Sequence, residues 1–212
     1  MNYNQSNNLL FSLKTISKTN KSGRKTLGVG GGGRVDLIHH SSDNSKLYAM
    51  KTVCLHGGRN LLRIKTEIRI HQKMNHPNII KMYGSEFIGD NVYIFLDFAS
   101  HGDLYSALRN KNNSKSELTF SSKIKIFIQC VKAVDYMHSR GFLHRDLKLE
   151  NILLEKGFNV KICDFGWAIE KEHNTRRRSI CGTIEYMAPE IFENKLQSTK
   201  IDIWALGRLF FC

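Results

Sequence analysis

The chain has 212 residues, 41% hydrophobic and 24% charged, with two prolines and a formal net charge of +13. That length suits one large domain or two small lobes with a sizeable core. The composition excludes several classes: no apolar stretch approaches a membrane span, and Met1 to Asn8 are polar rather than signal-like. Five scattered cysteines (Cys54, Cys130, Cys163, Cys181 and Cys212) fit neither a disulfide framework nor a zinc site, and point to a reducing intracellular compartment. The positive charge invites a nucleic-acid partner, but the basic residues are spread along the chain without the basic-and-aromatic stripe that stacks bases.

In chain order, residues 1–22 form a low-complexity leader rich in Asn, Ser and Lys, with one apolar patch at Leu9, Leu10, Phe11, Leu13 and Ile16. Gly28 to Gly33 leads into a strand through Val35, Leu37 and Ile38, and Leu47 to Val53 is a second strand carrying Lys51. Leu61, Ile64, Ile68 and Leu62 predict a helix over Asn60 to Met74, ended by His76-Pro77-Asn78. Val92 to Phe98 is a short apolar strand. Ser122 to Ser139 reads as a largely buried helix through Ile124, Phe127, Ile128, Val131, Val134 and Met137. A strand-rich half is thus followed by a helical half, with a hinge expected near Asp97 to Gly102 and a polar stretch at Asn110 to Ser116. The fold class is α+β, in two lobes.

Several motifs carry chemistry. Gly28-Val29-Gly30-Gly31-Gly32-Gly33-Arg34-Val35 fits G-x-G-x-x-G-x-V, a hairpin that can close over phosphates without a Cβ in the way. By itself it could equally be a flexible turn, and no G-K-[ST] follows it. Lys51 stands where an ammonium can reach phosphates if a carboxylate steadies it, and Glu67, sixteen positions on, is the candidate. His144-Arg145-Asp146-Leu147-Lys148-Leu149-Glu150-Asn151 fits H-R-D-L-x-x-x-N, and Asp164-Phe165-Gly166 and Ala188-Pro189-Glu190 follow in order.

From about Leu27 to its end the chain resembles the protein kinase superfamily. The resemblance implies a two-lobed kinase-like fold, with an N-lobe over 23–96 and hinge plus C-lobe over 97–212. It implies transfer of the γ-phosphoryl group of ATP to a Ser or Thr hydroxyl, with Mg2+ as metal cofactor. Asp164 and Asn151 would hold Mg2+, Asp146 would take the hydroxyl proton, and Lys148 would offset charge on the γ-phosphoryl group. Lys51, steadied by Glu67, would hold the phosphates beneath Leu27, Gly28, Gly30 and Gly33. Val35, Ala49 and Leu153 would sandwich adenine with Leu96 behind it, and Asp97 and Ala99 would bind its edge. Asp103 would face the ribose or the substrate, while Glu150 and Thr183 would contact the substrate. Phe165, His144, His71 and Met82 would form the spine joining the lobes. Lys148 after Leu147 is the Ser/Thr rather than the tyrosine pattern.

Trp167 after Asp164-Phe165-Gly166, with Arg177-Arg178-Ser179-Ile180-Cys181-Gly182-Thr183 and Tyr186, is similar to the Aurora kinases. That likeness implies a basophilic kinase acting on proteins with Arg before Ser/Thr, and phosphorylation at Ser179. It also implies an activating partner at the N-lobe, and a place in cytoplasm or nucleus, at spindle or centrosome. Arg176, Arg177 and Arg178 ahead of Ser179 resemble such a substrate, so trans-autophosphorylation is expected.

The pattern departs in places. Gly32 replaces a loop-tip aromatic, Leu149 a usual proline, and Thr66 an arginine of the Aurora kinases. Asp202-Ile203-Trp204-Ala205-Leu206-Gly207 fits the opening of the long C-lobe helix, and the sequence stops at Cys212. The expectation is a truncated C-lobe, with Trp204, Leu206, Leu209, Phe210 and Phe211 partly exposed and Glu190 without its arginine. The competing reading is a catalytically impaired pseudokinase or ATP-binding scaffold.

Overall fold

A computed structural model describes residues 25–39, 46–55, 61–109, 118–171 and 179–211. The leader, the polar stretch Asn110–Ser116, and Arg176, Arg177 and Arg178 lie outside the described residues. Contacts divide the chain into two compact units, one running to Gln72 and resuming over Ile80–Phe98, the other comprising Lys73–Ile79 and Ala99–Cys212.

The first unit is an antiparallel sheet of β1 (Thr26–Gly30), β2 (Gly33–His39), β3 (Leu47–Cys54), β4 (Met82–Ile88) and β5 (Asn91–Asp97), in the order β1-β2-β3-β5-β4. Helix α1 (Leu61–His71) packs on one face. Strand alternation sorts the side chains. Ile38, Tyr48, Met50 and Phe95 form one core, and Val53, Val92 and Ile94 join Ile64 and Ile68 of α1 in the other. The predicted helix is present, yet Leu61 and Leu62 are exposed, and its buried face is Ile64, Thr66, Glu67, Ile68, Ile70 and His71.

The second unit contains α2 (Leu104–Arg109), α3 (Phe120–Ser139), β6 (Phe142–Leu143), β7 (Ile152–Glu155), β8 (Asn159–Ile162), β9 (Ile169–Glu170), α4 (Pro189–Phe192) and α5 (Lys200–Phe210). β6 pairs with β9 and β7 with β8. Thr119 caps α3, its hydroxyl accepting from the Ser122 amide at 3.2 Å. The segment Lys73–Ile79 belongs here although its sequence neighbours lie in the first unit. Asn78 donates to Gln129 of α3 (2.8 Å) and to the Val160 carbonyl of β8 (3.1 Å), and Ile79 bridges Ile162.

The buried face of α3 is Ile126, Cys130, Ala133, Val134 and Met137, whereas Ile128 and Val131, expected inside, are exposed. An apolar residue on every turn left the orientation of the helix open. Helix α5 likewise has one buried face, Ile201, Asp202, Ala205 and Leu206, and leaves Ile203, Trp204, Phe210 and Phe211 exposed. Leu206 is therefore a core residue, against expectation, while Phe211 is 86% exposed. No helix among the described residues is long and apolar enough to cross a membrane.

Candidate active site

In the first unit, β3 turns Ala49, Lys51 and Val53 to one face by alternation. Lys51 Nζ donates to Glu67 Oε1 of α1 at 2.6 Å, and both side chains are buried. A pair this short and desolvated is a strong charge-assisted bond, and it holds the ammonium at a fixed point of the sheet. Val35 lies opposite Lys51, and Leu96 opposite Ala49. Asp97 receives the Tyr83 hydroxyl at 2.8 Å, and burial together with that carboxylate pushes the Tyr83 phenol well above its ordinary range. His71, which the spine pattern would have apolar, satisfies its Nε2 on the Ile80 carbonyl at 2.8 Å. The Thr66 hydroxyl turns back to the Leu62 carbonyl of its own helix at 2.8 Å. Leu27, Gly28 and Gly30 of β1 are exposed. Gly33 has φ +124°, and a Cβ there would meet the Thr52 carbonyl oxygen at 2.4 Å. The last glycine of the motif is thus required by the sheet itself.

In the second unit, the stretch from His144 to Asn151 is almost wholly buried. Asp146 Oδ1 accepts from the Thr183 hydroxyl at 2.9 Å, and its Oδ2 lies 3.3 Å from Lys148 Nζ and 3.2 Å from Asn151 Nδ2. Lys148 also donates to Thr183 at 2.9 Å. A carboxylate so fixed, beside an ammonium, is fit to accept a hydroxyl proton and to keep charge balanced while it does. Asn151 Nδ2 donates to Asp146 as well, at its carbonyl (2.8 Å), which turns Asn151 Oδ1 the other way. That oxygen and the carboxylate of Asp164 are the hard donors Mg2+ takes, so the residues present fit the metal. Asp164 has φ +62°, a left-handed conformation that Asp tolerates better than most residues, and it accepts the Gly166 amide at 3.3 Å. Phe165 is fully buried, with its ring centroid 5.3 Å from that of His144. Asp103 pairs with Leu153 across a bridge, and its carboxylate caps α2 through Ser106 N (2.7 Å) and Oγ (2.9 Å). Ala99 is half-buried, Glu150 exposed, and Glu190 half-buried without an ion pair among the described residues.

Ser179 is exposed, yet its hydroxyl and carbonyl receive Arg145 Nη2 at 2.7 and 3.0 Å. The fully buried Gln197 donates to the same carbonyl at 2.9 Å. Cys181 also receives Arg145, and burial pushes its thiol up, so it remains protonated at neutral pH. Burial in turn lowers the Arg145 guanidinium from its ordinary value. Gly182, at φ +99°, passes so close that a Cβ would meet the Arg145 carbonyl oxygen at 2.5 Å.

Asp202 opens the motif Asp202-Ile203-Trp204-Ala205-Leu206-Gly207, a pattern that by itself assigns it no task. It is 1% exposed and holds the start of the loop: Oδ2 accepts the His144 amide (2.9 Å) and His138 Nε2 (2.8 Å), and Oδ1 the Arg145 amide (2.8 Å). An acid in the first turn of an apolar helix was the available signal, because a buried carboxylate needs donors. Gln197 and His138 carried no signal of this kind.

The family profile described as "Protein kinase domain" matches residues 21–212. The chain is 35% identical over 189 residues to an Aurora kinase of Yarrowia lipolytica, covering 88% of this chain and 50% of that one. It is 39% identical over 149 residues to an Aurora kinase of Encephalitozoon cuniculi, covering 70% of this chain and 53% of the other. A human ribosomal protein S6 kinase alpha-2 is 38% identical over 193 residues, 88% of this chain and 26% of that protein. The chain spans about half the length of the Aurora relatives it matches. With a kinase profile over nine-tenths of its length, this chain belongs to the protein kinase family and is similar to its Aurora members.

Proposed function

We propose that the chain is a Ser/Thr protein kinase that moves the γ-phosphoryl group of ATP to protein hydroxyls in basic sequence contexts. The observation that carries this reading is the Asp146 carboxylate, bonded at once to Thr183, Lys148 and Asn151. In this reading Asp146 orients the acceptor hydroxyl and takes its proton, and Lys148 balances the charge that develops on the transferred group. Asp164 and Asn151 would hold Mg2+, which when bound neutralises phosphate charge. Lys51, fixed by Glu67, binds the phosphates under the hairpin that carries Leu27, Gly28, Gly30 and Gly33. Val35, Ala49 and Leu96 are the side chains of the first unit that would meet the adenine, with the backbone of Asp97 at its edge.

Exposed Glu150 is the carboxylate best disposed for a substrate arginine, since Asp103 already caps α2. Ser179 is the proposed modification site. A phosphate on its Oγ would sit against Arg145, whose guanidinium already holds that atom at 2.7 Å. The Aurora relatives support a mitotic setting, with spindle or centrosome as its place and an activating partner at the N-lobe.

The test is phosphate incorporation into an Arg-Arg-x-Ser peptide by the purified chain, with thermal midpoints measured with and without Mg·ATP. Transfer that falls by about a thousandfold or more in Asp146→Asn and Lys51→Met, with the melting midpoint kept in Asp146→Asn, is the expected result. A stabilising shift from Mg·ATP without transfer would instead favour an ATP-binding scaffold.

A further inference from the structure

Asp36 is 1% exposed, whereas Thr26 and Arg34 of the same hairpin are exposed. Its Oδ1 accepts two bonds: from the Thr26 hydroxyl across on β1 at 3.0 Å, and from Arg34 Nε two residues back at 2.8 Å. A buried carboxylate is tolerated only with such partners.

β2 is held in register by β3 over six pairs from Arg34↔Thr52 to His39↔Leu47, with Ile38, Tyr48 and Met50 in the core. β1 has no comparable constraint. All five of its residues are exposed, and Gly28, Gly30 and Gly31 have nothing within 4 Å of where a Cβ would stand. Gly30 to Gly33 are four consecutive glycines, so the turn between the strands could form at neighbouring pairs with little difference in backbone cost. Register is weakly specified in glycine-rich strands that bury neither face. The ladder here also shifts between Thr26 and Gly28, from Thr26↔Asp36 to Gly28↔Val35. At that shift stand the Thr26–Asp36 bond and, beside it, the Leu37 amide on the Lys25 carbonyl at 2.8 Å.

We propose that Asp36 and Thr26 lock the register of the glycine-rich hairpin, which makes Asp36 a positioning residue for nucleotide binding. Sliding β1 along β2 removes the Thr26 hydroxyl from a carboxylate that stays buried, so each wrong register is penalised where apolar packing would not notice it. The lock sets which amides of Gly28 to Gly33 face the phosphates, and this consequence rests on the kinase reading above.

The test is hydrogen exchange of the 25–37 segment in the unliganded chain, for wild type, Thr26→Val and Thr26→Ser, with Mg·ATP affinity measured by titration on the same proteins. Thr26→Val keeps shape and loses the donor. Exchange in this segment is expected to rise about tenfold or more, without a matching rise over β3 and β5, and Mg·ATP affinity to fall several-fold. Thr26→Ser restores both. Asp36→Asn, which keeps an acceptor but loses the charge toward Arg34, gives a smaller rise. Equal exchange in Thr26→Val and wild type overturns the lock, as does a rise spread evenly over the sheet. An exchange difference between wild type and Thr26→Val, in a wild-type chain that binds no Mg·ATP, supports the lock and removes the nucleotide reading.

Discussion

The glycine-rich hairpin of the first unit and the His144–Asn151 loop of the second solve the same problem in opposite ways. Each holds backbone that the proposed phosphoryl transfer would need in one arrangement. The loop from His144 to Asn151 is buried and tied from several directions: Asp202 takes two of its amides, Thr183 and Lys148 take Asp146, and Gly182 lies against its backbone. The first strand of the hairpin is exposed, Gly28, Gly30 and Gly31 touch nothing, and one carboxylate at the base, Asp36, ties Thr26 and Arg34. An over-determined site tolerates no intrusion. An open one tolerates many changes at its tip and few at its root.

The largest break in this contrast is Asp202→Ala. It leaves the amides of His144 and Arg145 buried without acceptors and His138 without its partner, and should cost about 3–5 kcal/mol in a denaturant melt. On a fold of ordinary marginality that is a large share of stability, and transfer activity should be lost with it. Next is a pair of matched substitutions. Gly182→Ala forces a left-handed Cβ onto the Arg145 carbonyl and should cost about 2–4 kcal/mol. Gly31→Ala, in open space at the hairpin tip, should stay within about 0.5 kcal/mol of wild type by the same melt. If the two cost the same, the distinction between the regions is wrong.

The smallest effect is electrostatic and belongs to the second unit. Partial burial, then the charges of Lys132 and Lys161, hold His76 below its ordinary value of 6.5. The unfolded chain therefore takes up this proton first as pH falls. Stability contributed by neutral His76 is complete above about pH 6.5 and is lost as pH drops through its folded value. Lys132→Gln removes one of the causes and should raise the His76 midpoint, read from its ring resonances across a pH titration.

Much of the fold and site was legible beforehand because it is written locally. The strand carrying Lys51 and the helix carrying Glu67 were recognisable from periodicity, and the structure brings those two side chains to 2.6 Å. What periodicity could not decide was orientation. In α3, apolar residues occur on every turn, so Ile128 and Val131 looked as internal as Val134, and only packing chose between them. Leu61 and Leu62 misled for the same reason at the start of α1. Leu206 was grouped with exposed aromatics although it faces inward beside Asp202.

By itself, the amino-acid sequence determined the α+β class and the kinase family, because the motifs are short and their residue types have few other uses in that order. Tertiary structure alone decided what holds those residues still. Asp202 lies 58 positions from the amide it accepts at His144, Gln197 18 positions from the Ser179 carbonyl, and Asp36 ten positions from the Thr26 hydroxyl on the neighbouring strand. A polar side chain becomes a structural anchor only when water is removed and donors arrive from elsewhere in the chain, and no local pattern records that event.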